Sequence, residues 1–149
     1  MPDLSALFKL SCGMCIVGAK CENRINGCVV NTVFQVTAEP VRVAVSLNRQ
    51  CLTCDYIVRS RVFAVSVLSE QASMRLTGTF GFRTGRDIDK FEHVKYRIGQ
   101  TGSPIVLDNT VAFLEAEVET AIDLQTHTLF IAKVVACGVF DDSAAPMTY

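Results

Sequence analysis

Three stretches constrain the fold most. Val41–Leu47 sets Val41, Val43, Val45 and Leu47 against Arg42, Ala44 and Ser46, the period of two of a strand with one buried face. Val62–Leu68 (VFAVSVL) is a short apolar run rich in β-branched and aromatic residues, as buried strands are. Thr128–Val139 (TLFIAKVVACGV) is longer and is expected to bend around Gly138. Phe113–Ile122 is ambiguous, because LEAEVETA suits a helix by propensity. Its Leu114, Ala116 and Val118 nevertheless alternate with Glu115, Glu117 and Glu119, so a strand with one wet face is expected.

The remaining segments are shorter. Asp3 or Ser5 can cap an opening helix carrying Leu4, Leu7 and Phe8, ending near Cys12-Gly13. Met14–Lys20 and Ile25–Val30 read as a hairpin turning at Glu22-Asn23-Arg24. Leu52–Arg59 and Glu70–Thr77 read as helices, Gly78–Phe91 as an ordered loop, and Tyr96–Leu107 as irregular chain broken by Gly99, Gly102 and Pro104. Strands joined by short connections, without βαβ alternation, predict a mainly β domain closed into a barrel with a few short helices.

At 149 residues the chain has the length of one domain. Half the residues are hydrophobic, 19% are charged and mean hydropathy is +0.32, so a ligand or partner subunit is expected to cover part of the apolar surface. A net charge of −1 with no basic cluster argues against nucleic acid and anionic membranes as partners. No apolar run reaches the ~18 residues of a spanning helix. The acid at Asp3 and the lack of a basic start argue against a secretory signal, so a cytoplasmic location is expected.

Ile25–Asn48 concentrates the polar chemistry. It holds a turn at Asn26-Gly27, a polar loop over Asn31–Gln35, a corner at Pro40, and a strand ending in Ser46-Leu47-Asn48 just before a helix. A phosphate needs several N–H and O–H donors, and a helix N-terminus supplies them without a glycine-rich loop. Ser46, Asn48 and Thr53 stand at such a place, with Lys90 or Arg49 able to add charge. On residue types alone, ordinary strand-end and capping roles remain open. Two histidines exclude a multi-histidine metal site. His93 follows a charged loop and reads as solvated, whereas His127, between Thr126 and Thr128, can face a ligand or be structural.

Seven cysteines are an odd number, a poor fit to a disulfide framework. Cys12-x-x-Cys15 and Cys51-x-x-Cys54 form two CxxC pairs, but one leads into a strand and the other into a helix, and they lie too far apart for a zinc ribbon. Inert thiols are the preferred reading, with no metal; a structural metal and a redox pair are the alternatives weighed.

Four ordered runs, INGCVVNTVFQVTAEPVRVAVSLN, LTCDYIVRSRVFAVSVL, FGFRTGRDIDKF and HTLFIAKV, resemble the flavin reductase-like family of FMN-binding split-barrel proteins. The likeness spans nearly the whole chain and is nearest to flavoredoxins and rubredoxin-associated flavin reductases. It implies a Greek-key split β-barrel, a homodimer, non-covalent FMN, NADH or NADPH as hydride donor, and a rubredoxin-like or other electron acceptor. It also implies roles for particular residues. Asn26, Gly27 and Cys28 would lie beneath the flavin; Asn31, Thr32, Val33 and Phe34 along the ring and ribityl chain; Ser46, Asn48 and Thr53 at the phosphate. Lys90 and Phe91 would close from the GRDIDKF loop, and His127 would lie on the nicotinamide side as a positioning or proton-donating candidate. A flavoredoxin-type FMN carrier that does not itself oxidise NAD(P)H is the alternative.

Two departures stand out. Cys54 stands where relatives often have His, and Cys12 and Cys15 replace aromatic or aliphatic residues. Relatives also continue beyond a motif like Met147-Thr148-Tyr149 into a C-terminal tail, so a missing tail or fused electron-transfer domain is left open.

Overall fold

A computed structural model describes residues 1–148, so Tyr149 of the terminal motif lies outside the described residues. Nine strands form. In chain order they are β1 (Cys15–Cys21), β2 (Arg24–Val30), β3 (Phe34–Ala38), β4 (Val41–Asn48), β5 (Val62–Leu68), β6 (Tyr96–Ile98), β7 (Pro104–Val106), β8 (Thr110–Asp123) and β9 (His127–Val139). Two helices, α1 (Leu52–Ser60) and α2 (Met74–Phe82), and a 3-10 turn at Leu4–Lys9 complete the chain. Seven strands make one antiparallel sheet in the order β2-β1-β5-β8-β9-β4-β3, and β6 pairs with β7 apart from it. The fold is mainly β, as expected.

Alternation decides what each strand faces. In β1, Cys15, Val17 and Ala19 join a core with Val43, Val45, Ile57, Phe63, Phe130 and Ala132. Ile16, on the opposite face, joins a second core with Leu68, Leu76, Phe80, Phe91 and Val106. Strands β1 and β5 are therefore buried on both faces, which is why VFAVSVL reads as a continuous apolar run. Val30 of β2 and Val43 of β4 belong to the same core although four strands separate β2 from β4 in the strand order, so the sheet coils around it.

Four expectations need correction. The opening helix is only a 3-10 turn ending at Lys9, capped by Asp3, and buries no residue. Phe34 and Gln35, expected in a loop, begin strand β3; it is an edge strand, mostly exposed and bulged between Gln35 and Thr37, so its alternation is blurred. Helix α2 starts later than Glu70 and runs through Gly78 to Phe82, because the Ser73 hydroxyl caps the Leu76 amide at 3.1 Å and Leu76 and Phe80 anchor one face. The stretch around Gly99–Pro104 is a hairpin rather than irregular chain. Its turn is organised from outside: the buried Glu115 carboxylate accepts from the Gln100 amide (3.2 Å), the Thr101 amide (3.0 Å) and the Thr101 hydroxyl.

The ambiguous LEAEVETA segment is a strand. β8 runs beside β5 and β9 with Ala116 fully buried, so neighbouring strands outweigh helix propensity there. Gly18 on β1 has a packing reason, since a Cβ would come 2.5 Å from the Pro104 carbonyl oxygen where β7 crosses.

Candidate functional site

β2, the start of α1 and the loop after α2 enclose a cleft of about 390 Å³. Asn26, Asn48, Cys51, Arg83, Gly85 and Lys90 are among the residues that line it. Each is held by a local cause. Asn26 projects from the middle of β2 and donates through Nδ2 to the Thr53 hydroxyl at 2.9 Å, both side chains being buried. Gly85 lies directly against the Asn26 amide, where any Cβ would overlap it. The loop can approach only because that residue is glycine.

Lys90 is 4% exposed. Its ammonium donates to the Gly27 carbonyl at 2.7 Å and the Phe80 carbonyl at 3.3 Å, which leaves one of its three N–H groups over. Burial pulls its pKa below the ordinary lysine value, opposed by the Cys28 and Cys51 sulfurs. Asn48 turns the chain into α1, its side-chain oxygen accepting from the Gln50 amide at 2.9 Å. The start of α1, Arg83 and the buried Lys90 thus border one cleft, with Asp87 as its acidic lining residue, and a helix N-terminus beside cations favours an anion.

Cys51 stands at the same helix start. It precedes α1 and closes no side-chain cap hydrogen bond, yet its thiol is pulled down to about 5. The Cys28 thiol hydrogen-bonded to its sulfur is the largest cause; burial opposes, and the Thr53 and Cys54 amides and the Thr53 hydroxyl assist. Cys28 is pushed well up by the same contact.

The anticipated residues divide into groups. Asn26, Gly27, Cys28, Asn48, Thr53 and Lys90 come together around this cleft. Thr53 is fully buried, so its hydroxyl holds Asn26 and is not presented to the cleft. Thr32 and Ser46 are tied to each other, the Thr32 hydroxyl donating to the Ser46 carbonyl at 2.9 Å, which clamps the 31–33 segment to β4. Asn31 is half-buried, Val33 packs on the main core and Phe34 is exposed at the edge. His127 stands opposite Asn48 in the β4–β9 register, its Nδ1 2.9 Å from the Thr126 hydroxyl. Phe91 has its ring in the second core, edge-on to Phe80 and Tyr96 at about 5 Å.

Arg83 and Gly85 were not anticipated, and neither was the side chain of Cys51 in the cleft wall. For Cys51 the available signal was its position immediately before a helix, obscured by reading it as half of a CxxC pair. Cys54 instead faces Thr128 with a raised pKa, burial being the main cause, and Cys15 is pushed up to about 11 by burial alone. Among the described residues no three His, Cys, Asp or Glu side chains are grouped to hold a metal. A wider groove of about 630 Å³ lies across Gly85 and Asp87, with Lys20, Arg24, Tyr56 and Tyr96 along it.

Residues 7–149 match the flavin reductase like domain. The chain belongs to that family. A high molecular weight rubredoxin of Moorella thermoacetica is 42% identical over 99% of this chain and 64% of its own length. A ferric-chelate reductase (NAD(P)H) of Archaeoglobus fulgidus is 41% identical over 99% of this chain and 86% of its own. Among solved structures, an FMN-binding protein from Thermus thermophilus superposes with a TM-score of 0.78, at 25% identity, over 89% of this chain and 73% of that one. This flavin reductase-like chain therefore spans a little under two thirds of the rubredoxin relative. No helix in the described residues is long and apolar enough to cross a membrane.

Proposed function

We propose that this chain is an FMN-binding oxidoreductase that takes hydride from NADH or NADPH and passes the electrons to an acceptor. The observation that carries the reading is the cleft lined by the start of α1, Arg83 and the buried Lys90, a helix N-terminus beside two cations that favours an anion. A phosphate monoester fits that donor set, and Gly85 keeps the adjoining wall flat against Asn26. The names of the Archaeoglobus and Thermus relatives point to NAD(P)H and to FMN.

Bound FMN would supply the hydride-accepting and electron-passing chemistry. The residues bind and orient. Asn48, Arg83 and the first turn of α1 hold the phosphate end, with Lys90 beneath and Ser46 and Thr53 as supports. Asn26, Gly27 and Cys28 form the floor. Backbone N–H groups over Asn31–Phe34 would stabilise the negative charge that develops on the flavin on reduction. The Thr32 clamp onto Ser46 keeps that segment in place. His127 positions the nicotinamide or delivers a proton, and no general acid or base is required for the hydride step.

The sheet is proposed to close as a Greek-key split barrel, supported by the core shared between β2 and β4. A cytoplasmic homodimer is proposed with it, and the exposed Leu4, Leu7, Phe8 and Leu10 supply apolar surface for a partner subunit. The Moorella relative's name supports a second reading, in which the chain carries electrons to a rubredoxin-like acceptor without oxidising NAD(P)H itself. FMN titration followed by flavin fluorescence tests the common part: quenching to a stoichiometric endpoint is expected, and no quenching refutes it. Reduction by NAD(P)H supports the first reading, and reduction only by a protein donor supports the second.

A further inference from the structure

The seven thiols are not equivalent, and the two that face each other are not a CxxC pair. Cys28 lies in β2, 8% exposed; Cys51 immediately precedes α1 and lines the cleft. Cys28 lies in the main core and Cys51 packs against that same core, where the Cys28 thiol is the group that acts most strongly on the Cys51 sulfur. The Asn26–Thr53 hydrogen bond joins the same two elements beside them, so β2 and the start of α1 are held at a fixed approach. The other thiols lack this arrangement: Cys54 turns to Thr128, Cys15 is buried with only burial acting on it, and Cys137 is exposed.

We propose that Cys28 and Cys51 form a redox-active dithiol in the cleft wall, oxidised by hydroperoxides to an intramolecular disulfide and restored by thiol reductants. Cys51 is the attacking sulfur because it lines the cleft while Cys28 is buried behind it, and the neighbouring Cys28 thiol lowers its pKa. Its sulfur attacks a peroxide oxygen; the O–O bond breaks, hydroxide leaves and Cys51 becomes a sulfenic acid. The Cys28 sulfur then attacks Cys51, the S–O bond breaks and water leaves, the Cys28 proton balancing the hydroxide. Two thiols lose two electrons and hydrogen peroxide is reduced to two waters. The bond covalently joins β2 to the start of α1, and it requires no bound flavin.

Peptide mapping of the intact protein after stoichiometric hydrogen peroxide, without reductant, tests this. A Cys28–Cys51 linked peptide that disappears with dithiothreitol is expected. No linkage, or linkage only within Cys12/Cys15 or Cys51/Cys54, overturns the proposal. Iodoacetamide labelling read by mass gives a second test on unaltered protein. Between about pH 8 and about pH 6 the labelling rate of an ordinary thiol falls about 100-fold with its thiolate fraction, whereas that of Cys51 should change less than about twofold. A 100-fold fall at Cys51 overturns its assignment as the attacking sulfur. Cys28→Ser should leave a dimedone-reactive sulfenic acid at Cys51, and absence of that adduct in a folded variant counts against the sequence of steps.

Discussion

Asn26 and Thr53 meet across 2.9 Å with both side chains shut off from solvent, and this one hydrogen bond fastens β2 to the first turn of α1. Thr53→Val keeps the volume and strands the Asn26 amide, so a loss of about 1–3 kcal/mol in urea unfolding is expected. Thr53→Ser keeps the hydroxyl and loses a methyl, which should cost about 1 kcal/mol. Equal stabilities for the two variants would contradict the role given to the hydroxyl.

Gly85 leaves no room for a side chain beside the Asn26 amide, whereas Gly78 on α2 faces open space. Gly85→Ala should push Asn26 or the loop aside and weaken FMN at least about tenfold, a change of ~1.4 kcal/mol. Gly78→Ala should leave binding unchanged and raise stability by about 0.5–1 kcal/mol, because a helix interior favours alanine. Fluorescence titration and thermal unfolding of both variants check this pair.

Lys90 gives two carbonyls a charged donor from a buried position. Lys90→Met removes that donor and the local positive charge, and should cost about 1.5–3 kcal/mol of stability. FMN binding should weaken and lose salt dependence together. Lys90→Arg should not restore either, since a planar fork does not fit between the Gly27 and Phe80 carbonyls beside the Phe80 ring, whose centroid is 5.9 Å from the ammonium. Titrations at low and high ionic strength are the measurement.

His127 adjoins Asn48 across the β4–β9 pair, and its Nδ1 lies 2.9 Å from the Thr126 hydroxyl. His127→Asn should slow flavin reduction by NAD(P)H about tenfold through lost positioning, with FMN affinity within about twofold. Stopped-flow reduction beside an FMN titration separates the two; unchanged reduction removes His127 from the nicotinamide side.

The strands legible in the sequence were those with a clear alternation or an apolar run, as in Val41–Leu47 and Val62–Leu68, although in the first Val41 is exposed and Ala44 of the other face is buried. β3 was hidden because an exposed edge strand needs no alternation, and β6–β7 because its turn is held by Glu115 from a distant strand. Much of the cleft was legible through the ordered motifs around Asn26 and Asn48. The burial of Thr53 and Lys90, the placement of Phe91 in the core and the facing of Cys28 by Cys51 depend on where α1 and the 83–91 loop pack on β2. Neither residue type nor spacing encodes that packing locally.

The central claim is that this cleft holds FMN where NAD(P)H can reduce it. An anaerobic titration of the FMN-loaded protein with NADH and with NADPH, watched in the visible flavin band, tests it most directly. The yellow colour should bleach to an endpoint at one equivalent of at least one donor per bound flavin. Flavin that stays oxidised with both donors, or protein that takes up no FMN at all, would contradict it.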